Sequence, residues 1–411
     1  MRPIRPPFAT RRERSPRRSS LPALTAVTLA AALAFTTTAC GSSENGAAGS
    51  VPSVSVDPGQ DGGDSGGSGG IEIPEDLKDR LKEHGIDVDK WRGGEWKNWD
   101  KDDWLREAED YINPIIEDLW DPDRMREAEQ PEKPVAEDIA AGQGVTDAEP
   151  APVEARPVEA PYAENAPQAG KVFFDGPNGS MVCSATVVQD PANPGKSNLV
   201  WTAGHCVHAG AKGGWYRNIA FVPSYNNDAL PTAELGGATQ EDVAPFGVWW
   251  GDWAQTSDQW IAQGGPTGGA GASYDFAVIH VTPESGGGKS LEETVGSALP
   301  VNFEAPEASG VENVTAIGYP AAPPFDGESM QQCSSGPSRL SLGAKEPTMY
   351  RIGCTMTGGS SGGGWIGDIG NGPELLSNTS IGPVNGGWLA GPRLGAEAEG
   401  VYQAVSRKFA G

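Results

Sequence analysis

With 411 residues the chain is long enough for two or three domains, yet its 57 Gly and 35 Pro are abundant and concentrate outside the apolar runs. A formal charge of −25 argues against nucleic acid and anionic lipid headgroups as partners, because both would be repelled. Aromatic residues at 8%, with 13 Trp in the chain, suffice for a real core.

Residues 1–39 open on an Arg-rich stretch, followed by an apolar run from Leu21 to Phe35. That run is shorter than the roughly 20 helical residues needed to cross a bilayer, so it reads as a signal peptide for export. The stretch Thr37-Thr38-Ala39-Cys40-Gly41-Ser42 resembles a bacterial lipobox, which implies acylation of Cys40. Thr37 departs from that pattern, and the alternative is an ordinary signal peptide cut nearby with Cys40 incidental. The product is expected on the extracellular face of the membrane as a lipoprotein, or secreted. If lipid occupies Cys40, then Cys183, Cys206, Cys333 and Cys354 remain, with three possible pairings. Export makes disulfides permissible.

Residues 40–70, rich in Gly, Ser and Asp, read as a flexible tether spanning about 30 Å. Residues 71–130 form an acidic, Trp-rich segment. Pro74, the Leu77 and Leu81 pair and a Gly85 stop predict one short helix, and Trp104, Ala108, Tyr111 and Ile112 share a face of a second from about Asp102. Helices this short need a partner surface. The segment reads as an extension or propeptide packed on the downstream domain; the other reading is a wall- or carbohydrate-binding module presenting Trp91, Trp96, Trp99, Trp104 and Trp120. Residues 131–168, rich in Pro, Ala and Glu, read as a solvated linker.

From residue 169 to 411 the texture is all-β. Lys171–Phe174, Met181–Val188, Leu199–Thr202, Ile219–Val222, Phe276–Val281, Val314–Ile317 and Leu375–Asn378 are short β-branched or aromatic runs punctuated by Gly, Pro, Asn and Asp. No long helix is evident, and such a segment suits a sandwich or a barrel.

Three local patterns carry chemistry. Leu199-Val200-Trp201-Thr202-Ala203-Gly204-His205-Cys206 ends an apolar strand on an imidazole, where a general base needs to be held yet open to a cleft. Asp275 opens the strand Phe276-Ala277-Val278-Ile279. Ser361 lies among glycines in Gly358-Gly359-Ser360-Ser361-Gly362-Gly363, where the backbone can turn sharply and substrate can approach closely. Asp252 and Asp258 lack the strand-opening context of Asp275. His208 is expected in an exposed loop, His280 facing solvent or a neighbouring strand, and His84 in the helical extension. No Cys/His cluster has zinc spacing, and no metal or other cofactor is expected.

Together these residues resemble the trypsin/chymotrypsin-like serine peptidases, in particular the secreted bacterial branch that includes glutamyl-endopeptidase-like enzymes. The resemblance covers residues 168–411. It implies two six-stranded antiparallel Greek-key barrels and a serine endopeptidase acting on protein or peptide substrates as a monomer. His205, Asp275 and Ser361 would be the catalytic triad, with the backbone N–H groups of Gly359 and Ser361 as oxyanion hole. It also implies disulfides Cys183–Cys206 and Cys333–Cys354, Thr355 at the base of the substrate pocket and Ser380 on its wall.

The departures are informative. Ser360 stands where digestive relatives carry an Asp that pairs with a newly cut N-terminus, which implies activity independent of that switch. Thr355 offers no acid for Arg or Lys, and Asn378-Thr379-Ser380 lacks the His that resembles a glutamate-recognition signature. Small or apolar side chains are the expected preference. Gly364 and Trp201 replace the Pro and aliphatic residue usual beside the motifs. Two alternative functions stand beside this one: a catalytically inactive, peptidase-like binding lipoprotein, and an envelope protein whose Trp-rich extension supplies the function.

Overall fold

A computed structural model describes residues 113, 115–131, 145–176, 179–211, 213–265, 271–383 and 386–411. The signal peptide, Cys40, the tether, both expected helices, His84 and Trp91 to Trp104 lie outside the described residues.

After a two-residue strand β1 (Arg156–Pro157), six strands close into an antiparallel barrel. They are β2 (Ala169–Gly176), β3 (Gly179–Val188), β4 (Leu199–Thr202), β5 (Arg217–Pro223), β6 (Trp249–Thr256) and β7 (Ala277–Pro283), in the order β2-β3-β4-β7-β6-β5. The second half contains β8 (Val314–Gly318), β9 (Gln331–Ser335), β10 (Ser338–Leu340), β11 (Met349–Gly353), β12 (Gly364–Asp368), β13 (Pro373–Asn378) and β14 (Trp388–Gly391). These strands are divided between a β1-β9-β8-β12-β13 sheet and a β10-β11-β14 sheet. The chain passes between them just after β13, where Ile381 bridges Ala390.

Side-chain alternation explains why several barrel strands are buried on both faces. Val172, Phe174, Val200, Ala277, Ile279 and Val281 point into the barrel core. Their neighbours Phe173, Ala220, Val222 and Trp250 face outward, where Trp120, Met125, Val158 and Tyr162 cover them. On another outer face, Leu199, Trp201, Phe276 and Val278 lie beneath Ala398, Val401, Tyr402 and Val405.

Two expectations are therefore corrected. Residues 145–168 are not uniformly solvated: β1 pairs with Gln331–Gln332 of β9, Tyr162 is fully buried, and the Val158 N–H donates to Met330 O at 2.9 Å. The outward apolar residues of β2 and β5 need this cover. A 13-residue helix, Ala396–Lys408, also exists near the C-terminus. Its buried residues at 398, 401, 402 and 405 recur at helical spacing, and Gly400 falls on its exposed side. This helix packs on β6 and β7.

Candidate active site

His205 sits in a single helical turn, Gly204–Cys206, directly after β4. Asp275 precedes β7, the partner of β4, with Thr202 opposite Ala277. This pairing brings the two residues together across 70 positions of sequence. One Asp275 oxygen accepts the His205 backbone N–H at 2.8 Å, and the other meets the ring Nδ1 at 2.7 Å. A carboxylate gripping both backbone and ring fixes the imidazole in rotation and tautomer, with Nδ1–H donating to it. Asp275 has no exposed surface. Burial of such a charge is tolerable because Ser380 Oγ also donates to it at 2.5 Å. Burial, and secondarily the Asp275 charge, raise the Tyr216 phenol pKa well above its ordinary value, so that side chain stays neutral.

Asp252 and Asp258 lie elsewhere. Asp252 pairs with His280 at 2.6 Å, and the His280 ring stacks on Phe409, while Asp258 begins a short helix capped by Ser257. His208, expected in an exposed loop, is 1% exposed: its ring stands edge-on to Trp215, and its Nδ1 accepts the Gly210 N–H. The apolar barrel end, rather than solvent, receives this His.

Ser361 is 8% exposed and follows the tight turn at Gly359, whose φ is +95°. A Cβ at Gly359 would come within 2.6 Å of the Tyr319 carbonyl, so only glycine fits there. The Ser361 carbonyl accepts the Ser184 N–H at 2.7 Å. Ser184 follows Cys183, which is disulfide-bonded to Cys206 beside His205. A short path of one hydrogen bond and one disulfide therefore joins the Ser361 turn to the His205 turn. The second disulfide, Cys333–Cys354, ties β9 to the segment leading into Ser361. Closing loops of this length is worth roughly 3 kcal/mol each on the chain-entropy estimate.

A cleft of about 330 Å³ opens beside Ser361. Ser380 lies on its wall and also donates to Asp275, a contact that its sequence context does not announce. Thr355 does not line this cleft; its hydroxyl accepts the Ala155 N–H at 2.8 Å and its own N–H donates to Val153 O at 2.9 Å. The packed 153–155 segment claims Thr355 from behind, and the buried Met356 faces the cleft instead. Cys183, His205 and Cys206 form the one metal-type cluster among the described residues, but both sulfurs are spent in the disulfide.

Both unusual motif residues find structural reasons. The Trp201 indole N–H donates to Asn378 Oδ1 at 3.0 Å, and Asn378 Nδ2 donates to the Asp275 carbonyl at 3.0 Å. Gly364 donates its N–H to Thr186 Oγ1 at 3.2 Å, a bond no Pro could make.

A closed antiparallel barrel, a second two-sheet half, a buried His–Asp pair and a glycine-flanked Ser turn tied to it through the Cys183–Cys206 disulfide define the class as a chymotrypsin-like serine peptidase fold. No protein-family model and no curated protein matches the chain. Among solved structures it is similar to a thermostable serine protease, AL20, from an extremophilic microorganism, at 31% identity over 59% of this chain and 98% of that one, TM-score 0.48. It is also similar to the protease Anisep from Arthrobacter nicotinovorans, at 28% identity over 61% and 99%, TM-score 0.47. A Glu endopeptidase in complex with MPD follows at 16% identity over 64% and 100%, TM-score 0.44. The barrel, the two disulfides and the His205 and Ser361 motifs fit the trypsin/chymotrypsin-like serine peptidase family.

Proposed function

We propose that the chain is an exported serine endopeptidase in which Ser361 is the nucleophile, His205 the general base and Asp275 the residue that orients it. The carrying observation is the two-point grip of Asp275 on His205. With Nδ1–H committed to Asp275, Nε2 is the basic nitrogen that takes the Ser361 proton. Attack on the scissile carbonyl gives a tetrahedral oxyanion, which the N–H groups of Gly359 and Ser361 would receive. His205 then returns the proton to the leaving amine, and water repeats the sequence on the acyl-enzyme. Asp275 stays ionised and stabilises the imidazolium.

Activity without an ammonium–carboxylate switch is supported by Ser360. It is 1% exposed, and its hydroxyl donates to Thr357 O at 2.7 Å, holding the turn by a local bond. Met356, Ile381 and Leu389 on the cleft wall favour small or apolar substrate side chains. Two disulfides suit an extracytoplasmic compartment. Retention at the membrane by lipid on Cys40 completes the reading, and globomycin-sensitive processing with loss of anchoring in Cys40→Ala tests it. A peptide-library cleavage profile tests the enzymatic reading: cuts after small or apolar residues are expected, and an absence of any cut that depends on Ser361 would refute it.

A further inference from the structure

Residues 115–131, with Asn113 ahead of them, cross the outer face of the barrel and reach the cleft. Asn113 Nδ2 donates to Ile219 O at 2.8 Å and to Gly251 O at 2.9 Å, and its Oδ1 accepts the Ile219 N–H. The Trp120 indole is buried on Phe173 and donates to Asn218 O at 2.7 Å. Arg124 reaches both oxygens of the nearly buried Asp175, at 2.8 and 2.7 Å. Beyond these anchors the chain joins β3. The Glu129 N–H donates to Ser180 O at 2.9 Å, and its carbonyl accepts the Val182 N–H at 2.8 Å. Gln130 then lies against Gly358, where an added Cβ would come 2.8 Å from Gln130 Cγ. Gln130 and Pro131 line the same cleft as Ser361.

The β3 edge that Glu129 occupies leads directly to Cys183, and through its disulfide to Cys206 and His205. A leaving amine must stand beside His205 to receive its proton, so the residues after a scissile bond pass along this side. An extended peptide there gains affinity by adding a strand to an open edge. In this chain that edge is already paired.

We propose that Glu129, Gln130 and Pro131 are specificity-determining residues that form the leaving-group wall of the cleft. They compete with substrate for the Ser180–Val182 edge, and so disfavour peptides that extend far beyond the scissile bond. The inference rests on the peptidase reading of Ser361. Gln130→Gly and Glu129→Pro each weaken the wall while leaving the Trp120 and Arg124 anchors in place, and the second removes the N–H that donates to Ser180.

The experiment compares kcat/KM for two substrates with the same acyl residues, one with an anilide leaving group and one continued by three residues past the scissile bond. Recovering edge bonds corresponds to about a tenfold gain. The ratio of extended peptide to anilide is expected to rise about tenfold in either variant. An unchanged ratio in both, with the anilide still cleaved by the unaltered protein, overturns the inference and leaves Ser361 as nucleophile. Failure of the unaltered protein to cleave either substrate brings down the peptidase reading and this inference with it.

Discussion

The Ser184 hydroxyl donates to the Gly359 carbonyl at 2.9 Å and accepts the Tyr319 N–H at 2.8 Å. One small side chain on β3 thereby ties the Gly359 turn to the end of β8. This arrangement holds the Gly359 peptide in one orientation. Ser184→Ala is expected to lower kcat by about tenfold or more, because loss of one hydrogen bond lets the donor misalign. Steady-state kinetics should show KM changing little. An unchanged kcat would mean that the turn holds itself.

Replacing Asp275 with Asn retains the shape but removes the charge and favours the wrong imidazole tautomer. A loss of about 10⁴ in kcat is expected, with circular dichroism unaltered. A loss below about tenfold would exclude Asp275 as the orienting group.

Much of this site is legible in the sequence, for a definite reason. His205, Asp275 and Ser361 lie next to short strands or glycines whose local chemistry marks them. Residues that act through space carry no such mark. Nothing beside Ser184 announces that its hydroxyl meets Gly359, and the Ser380–Asp275 bond spans 105 positions. Among the strands, β6 is hidden because a bulge between Gly251 and Trp253 interrupts the alternation of Trp249, Trp250 and Trp253. The C-terminal helix is hidden by the two glycines at 395 and 400 around its apolar stripe. Thr355 shows the limit of carrying a position over by counting residues: the 153–155 segment, read as solvated, claims its hydroxyl.

Trp120 is the main apolar anchor of the segment that crosses the barrel, at 1% exposure. Trp120→Ala is expected to cost about 3 kcal/mol and to leave Phe173 and Trp250 partly uncovered. Thermal unfolding and faster proteolysis within residues 115–131 measure this. An unchanged midpoint would mean that the segment does not contribute to the stability of the barrel.

Asp147 anchors the start of the 145–168 segment. Its carboxylate accepts the Arg339 backbone N–H and guanidinium, and Arg339 holds its pKa down at about 2. A depressed carboxyl pKa contributes stability that is present above the unfolded value of about 3.9 and is lost as pH falls towards about 2. Arg339→Ala should raise the Asp147 pKa towards the ordinary range, read by carbon-detected NMR titration. Amide exchange at residues 145–149 should then quicken already near pH 4. A titration midpoint that stays near 2 in the variant would assign the depression to another group.

The most direct measurement is intact-mass analysis after treatment with a fluorophosphonate probe, with peptide mapping of the adduct. One adduct per chain on Ser361, absent in Ser361→Ala and strongly slowed in His205→Ala, is the predicted result. A folded protein that takes up no probe, or takes it up equally well without Ser361, would contradict the account.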